Sequence, residues 1–98
     1  MKGSPDSKWT FLTNHTHVMV VLDRNPAARI RDIALEVGIT ERAVQRILSD
    51  LAGDGYLRVR KRGRRNEYTI ARRQRLRHPL ESKVCIGDVL DLASEQVE

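Results

Sequence analysis

Residues 34–47 read ALEVGITERAVQRI, a helix stop set directly against a helix start. Upstream, Ile30, Ile33, Ala34 and Val37 recur at i, i+3, i+4 and i+7, the stripe of an amphipathic helix. Gly38 follows, the residue that tolerates the left-handed backbone of a helix end. Only Ile39 separates it from Thr40, whose hydroxyl is suited to cap the next helix. Val44, Ile47, Leu48 and Leu51 then repeat the stripe and predict a helix over 41–52, ended by Gly53-Asp54-Gly55. The side turned away from that stripe carries Glu41, Arg42, Gln45 and Arg46. The upstream helix starts less sharply, because Arg29 or Arg31 stands where a capping side chain is expected.

Two helices crossing steeply through so short a turn need a small residue where their backbones approach, and Ala34 provides it. They also need apolar anchors in the turn and on the second helix, which Ile39, Val44 and Ile47 supply. This spacing is that of a helix-turn-helix, in which the amino-terminal residues of the second helix project outward.

Working outward, NHTHVMVVLDR (14–24) is ambiguous by periodicity, since VMVVL could be a short buried strand. Thr13 or Asn14 can cap a helix there, Val18, Val21 and Leu22 share a face, and Asn25-Pro26 stops it, so a helix is expected. Met19 and Val20 fall off that face and need a second surface to cover them. Downstream, Tyr56–Arg60 and Asn66–Ile70 both alternate, with Leu57 and Val59 on one face and Tyr68 and Ile70 together. Between them KRGRR (61–65), five residues around a glycine, suits a hairpin loop. Residues 71–78 are basic and weakly patterned. Ile86, Val89, Leu90, Ala93 and Val97 predict a last helix from about 87 to 97, too short to stand unsupported. The expected organisation is an amino-terminal arm (1–13), a helix-helix-helix-hairpin domain (14–70), and a basic linker with a C-terminal helix (71–98).

The chain has 98 residues, 40% hydrophobic and 4% aromatic, enough for one small aliphatic core. No window approaches the ~18 apolar residues of a membrane span. The amino terminus lacks the apolar stretch of a signal peptide, so a cytoplasmic protein is expected. The single cysteine, Cys85, fits a reducing compartment and reads as a small buried hydrophobe between Val84 and Ile86. Charge is unevenly spread. Residues 56–77 hold ten Arg or Lys and one acid, a local net of +9 within a total of +5, which leaves −4 for the remainder. A mildly acidic body with one dense basic segment implies a polyanionic partner.

On these residues, RIRDIALEVGITERAVQRILSDLAGDGYLRVR followed by KRGRRNEYTI, the segment 14–70 resembles a winged helix-turn-helix domain of the MarR- and ArsR-like transcriptional regulators. The resemblance implies a mainly α fold of three helices plus a β-hairpin wing. It further implies a homodimer on double-stranded DNA, with the third helix in the major groove and the wing on backbone or minor groove. Carried onto this sequence, it places Glu41, Arg42, Ala43, Gln45 and Arg46 toward the groove. Alone these side chains are what any solvated helix face carries, but their chemistry suits base reading. Arg pairs with guanine, Gln with adenine, and Glu accepts from cytosine. Thr40 and the first amides of the helix suit a phosphate. Arg60, Lys61, Arg62, Arg64 and Arg65 crowd the wing, with Arg62 or Arg64 the candidate for a narrow minor groove. Arg29 and Arg31 are further phosphate-contact candidates.

Other chemistry is thinly supported. His15, His17, His78 and Cys85 could suggest a metal sensor, but positions two apart on a helix do not share a face, and neither metal nor cofactor is expected. No nucleophile–base constellation or phosphate-cradling glycine loop points to an enzyme. Asp88, Asp91 and Glu95 read as a solvated acidic face. Trp9, Phe11, Leu12, Met19, Val20 and the last helix offer more apolar surface than three short helices absorb, which argues for a dimer interface. A winged-helix module for RNA or protein contacts, without base readout, is the alternative.

Overall fold

Thr13 opens the first helix: its hydroxyl accepts from the Thr16 amide, and α1 runs over Asn14–Arg24. The computed structural model describes residues 9–94. α1 buries Val18, Met19, Val21 and Leu22, and its last turn ends at Asn25, whose amide donates to Val21. The ambiguous VMVVL segment is therefore helical. Its apolar residues cover more than one face because α1 meets α2 (Ile30–Val37), α3 (Glu41–Gly53) and α4 (Ile86–Ser94).

The junction between α2 and α3 follows from its sequence. Gly38 adopts φ 86°, and the amides of Gly38 and Ile39 both donate to the Ala34 carbonyl at 2.8 and 3.1 Å. The Ala34 carbonyl thus accepts twice as the helix closes at its glycine. Thr40 then caps α3, its Oγ1 accepting from the Ala43 amide at 3.0 Å. Arg29 precedes α2 with no side-chain cap. Ile33, Ala34, Val44, Ile47, Leu48 and Leu51 turn inward and join α1 in one aliphatic core.

The hairpin pairs β1 (Leu57–Arg62) with β2 (Arg65–Ile70) in antiparallel register, Leu57 opposite Ile70 and Val59 opposite Tyr68. Its connection is tighter than the five-residue loop expected from KRGRR. Arg62 pairs with Arg65, leaving only Gly63 and Arg64 in the turn. Gly63 takes φ 63°, the left-handed value that a two-residue turn matching strand twist needs at its first position. Lys61, Arg62 and Arg65 are therefore strand residues. Leu57 and Tyr68 are buried, and the Tyr68 amide donates to the Pro26 carbonyl, which ties β2 to the α1–α2 loop.

After β2 the chain folds back. Leu76 donates to Val84 and Ile86 to Gln74, a short antiparallel contact around the Arg75–Cys85 bridge, with a 3-10 turn at Pro79–Glu81 between. α4 starts one residue before the expected position, and Asp88 in its first turn accepts from the amide of Cys85, the residue before the helix, at 3.3 Å. It buries Ile86 and Leu90 against the domain's own core. Met19 is buried and Val20 packs against the core, so the second surface expected for them is supplied within the chain, where α1 also meets α4. Val97 and Glu95 lie outside the described residues, as does 1–8 of the expected arm. The architecture is a helix-rich domain of four helices with a two-stranded hairpin.

Arg72 holds the returning segment in place. Its guanidinium donates to Asp23 on α1 at 2.7 Å, and to Asp91 and the Gly87 carbonyl on α4 at 2.5 and 3.2 Å. Asp91 stays exposed, as expected of the solvated face, and pairs there with Arg72.

Candidate nucleic-acid interface

α3 inserts Val44, Ile47, Leu48 and Leu51 into the core, and this fixes which side of the helix faces out. Glu41, Arg42, Gln45 and Arg46 are all exposed, and none of their side chains has a hydrogen bond or ion pair among the described residues. Ala43 is half-buried with its amide held by Thr40, so it offers a methyl edge and no free donor. The four exposed side chains form one contiguous surface on the first two turns, since residues three and four apart are neighbours on a helix. Two guanidiniums, one carboxamide and one carboxylate at this spacing supply both donors and acceptors to an edge laid against them. Their full hydrogen-bonding capacity is uncommitted.

The hairpin cations divide into engaged and free. Arg62 Nε stands 3.6 Å from Glu67 on the same strand face, and Arg65 Nη2 donates to the Ala27 carbonyl at 3.0 Å. Arg60, Lys61 and Arg64 are exposed without such partners. Of the two arginines considered for a narrow groove, Arg64 sits on the turn and is free, whereas Arg62 is partly held. The link from Arg65 to Ala27 also brings the hairpin beside the start of α2. There Arg29, Arg64 and Arg65 line one shallow cleft of about 390 Å³. Arg31, exposed on α2, is not among the residues lining it.

The basic segment is less uniformly available than its sequence suggested. Arg72 is bound to two aspartates, and Arg77 Nη1 donates to Asp54 at the C-terminal end of α3 at 3.0 Å. Uncompensated positive charge is left on the hairpin, on the α2 start and on the outer face of α3, and also at Arg73 and Arg75, which are exposed and form no ion pair among the described residues.

A second concave feature escaped the sequence reading. An open groove of about 750 Å³ lies between the start of α1, the end of α3 and residues 76–86. On its rim His15 Nε2 and Asp50 are 3.0 Å apart, and His78 Nδ1 accepts from the Leu80 amide. His17 bonds Asn14 instead. The histidines thus have separate partners, and no group of three or more potential metal ligands occurs among the described residues. No local signal marks this groove, because its members come from three separate stretches of chain.

Tyr56 lies at its base with the hydroxyl donating to the Arg75 carbonyl at 2.6 Å. Desolvation by burial pushes the Tyr56 phenol above its ordinary value. Nearby Arg77 acts in the opposite sense, and Asp54 reinforces the rise. No helix among the described residues is long and apolar enough to cross a membrane. Compared with models of protein families and with curated protein sequences, the chain matches none.

Proposed function

We propose that this protein is a winged helix-turn-helix transcriptional regulator of MarR- or ArsR-like type, binding double-stranded DNA in a sequence-specific manner as a homodimer. The observation that carries the proposal is the outer face of α3. Glu41, Arg42, Gln45 and Arg46 stand exposed and unpaired on a helix whose orientation is fixed by Thr40 and a buried stripe. In this reading the first turns of α3 enter the major groove and Arg42, Gln45 and Arg46 read base edges. Thr40 and the neighbouring amides meet a phosphate. Arg60, Lys61 and Arg64 grip backbone, with Arg64 the residue placed for a minor groove. Arg29, Arg31 and Arg65 extend that contact around the start of α2. No catalytic role is assigned to any residue.

Selection of duplexes from a random pool tests this directly. The expected result is an inverted repeat whose half-sites lie about one helical turn, ~34 Å, apart. Gln45→Ala and Arg46→Ala should each relax the recovered sequence at defined positions, costing about 1–3 kcal/mol of discrimination. A pool that returns no preference, with binding to structured RNA or random duplex as strong as to any selected site, would reduce α3 to a solvated face. That outcome would favour a winged-helix module without base readout.

A further inference from the structure

The aromatic arm preceding α1 is not buried against the described residues of its own chain. Trp9 and Phe11 form an edge-to-face pair, ring centroids 4.9 Å apart, yet Trp9 is 69% and Phe11 91% exposed. Four residues later Thr13 lines the groove of about 750 Å³, but neither aromatic is among the residues lining it. The floor of that groove is apolar, formed by Met19, Leu51, Leu76 and Ile86. Its rim is acidic, with Asp50, Asp54 and Glu81 against the single guanidinium of Arg77. Leu80, between the lining residues His78 and Glu81, is 90% exposed at its edge.

We infer that the groove receives the aromatic arm of a second copy of this chain, reciprocally, so that each protomer's Trp9 and Phe11 lie on its partner's floor. Complementarity favours this occupant. The arm brings two rings to an apolar trough, and the sequence next to Trp9 adds a lysine, a charge suited to a rim with surplus carboxylate. Among the described residues the Glu81 carboxylate has no side-chain partner, whereas Asp50 and Asp54 are held by His15 and Arg77. Because arm and groove adjoin at Thr13, a two-fold axis near the groove mouth lets both arms cross at once, the self-complementary arrangement of a cyclic dimer.

The area is adequate. Aromatic side chains bury about 150–250 Å² each, so four of them with the surface they cover remove on the order of 1,200–2,000 Å². That is the range of a stable interface, about 1,600 ± 400 Å². The inference deepens the homodimer part of the proposed function and does not use the α3 face.

Trp9 is the only tryptophan, so its emission reports the contact without a label. Sedimentation equilibrium of the full chain, free of DNA, should show a dimer, and Trp9 emission should move to the blue as dimer forms. Trp9→Ala with Phe11→Ala should raise the dimer dissociation constant on the order of 100-fold or more. Glu81→Lys, at an exposed position that leaves the fold intact, should raise it about tenfold while an unchanged circular-dichroism melt confirms folding. Mixing the arm variant with the Glu81→Lys variant should restore one intact arm–groove contact and recover part of the association. A chain that stays monomeric overturns the inference. So does a dimer indifferent to the arm substitutions, or a blue shift with no change in mass. A monomer would also remove the homodimer part of the proposed function, whereas a dimer indifferent to the arm, with duplex selection intact, would sink the arm contact alone.

Discussion

Gly87 shows how much of this fold rests on a single missing carbon. A Cβ there would stand 2.9 Å from the Arg72 carbonyl oxygen and 3.0 Å from the Arg72 Cβ. The same carbonyl accepts the Gly87 amide at 2.9 Å, so the two backbones cannot separate without breaking that bond. Helix propensity alone would make Gly87→Ala stabilising by about 1 kcal/mol. The expected outcome is the reverse, a loss of about 1–3 kcal/mol in chemical denaturation, because strain and a lost hydrogen bond outweigh propensity. Arg72→Ala keeps that carbonyl and Cβ but removes the guanidinium's bonds to Asp23, Asp91 and the Gly87 carbonyl. Its ion pairs are part-exposed, so the loss should be about 1–2 kcal/mol, well below the sum of three isolated bonds. Tyr56 gives a pH signature. Its folded phenol ionises above the ordinary value of 10.0 while the unfolded one does not. The native state therefore holds a proton that the unfolded chain releases, and stability present below pH 10 falls as pH rises toward the native pKa. Tyr56→Phe should flatten that alkaline decline in a urea-denaturation series, at a neutral-pH cost of about 1 kcal/mol for the bond to Arg75.

At the scale of elements, the junction of α2 and α3 was legible because its signals are local. The Ile33–Ala34–Val37 stripe, Gly38 and the Thr40 cap each act within a few residues, and all appear as expected. Thr40→Ala should cost about 1 kcal/mol, read from the thermal midpoint, by releasing the Ala43 amide. Pairing of the hairpin was equally plain from alternation. Its turn was not, since KRGRR permits either a long loop or a tight one, and cross-strand pairing of Arg62 with Arg65 decides for the latter. The returning segment was legible only in part. Ile86 and Leu90 announced a helix face, but nothing near them in sequence says that the face meets α1 or that Arg72 bridges Asp23 and Asp91. The 750 Å³ groove was invisible for the same reason: its acids and its floor are assembled by contacts across the chain.

Over the whole molecule, internal pairing sorts the charge that composition only totals. Arg72 and Arg77 spend their guanidiniums on Asp23, Asp91 and Asp54, so the segment after β2 is nearer neutral than its sequence. Free cations stand on the hairpin and along the α2 and α3 surfaces, with Arg73 and Arg75 left over in the segment after β2. Binding to duplex should then weaken steeply with salt, with a log–log slope of about −0.9 for each phosphate neutralised. Arg64→Ala should make that slope shallower by about one unit and weaken all duplexes alike. Arg77→Ala should leave the slope unchanged, which separates the two halves of the basic segment by experiment.

The tight connection at Gly63-Arg64 also sets rules for remodelling this finger. Strand side chains alternate faces, so inserting a matched pair of residues, one per strand, would push the tip out by about 3.4 Å. Such a pair, placed between the tip and Lys61, would leave Arg58 and Arg60 oriented as they are. Inserting one unmatched residue into β2 between Tyr68 and the turn would force either a bulge or a slipped ladder, and a slip sends Tyr68 out of the core. The finger can therefore change its reach in even steps, and its parity is guarded by the one tyrosine that anchors it.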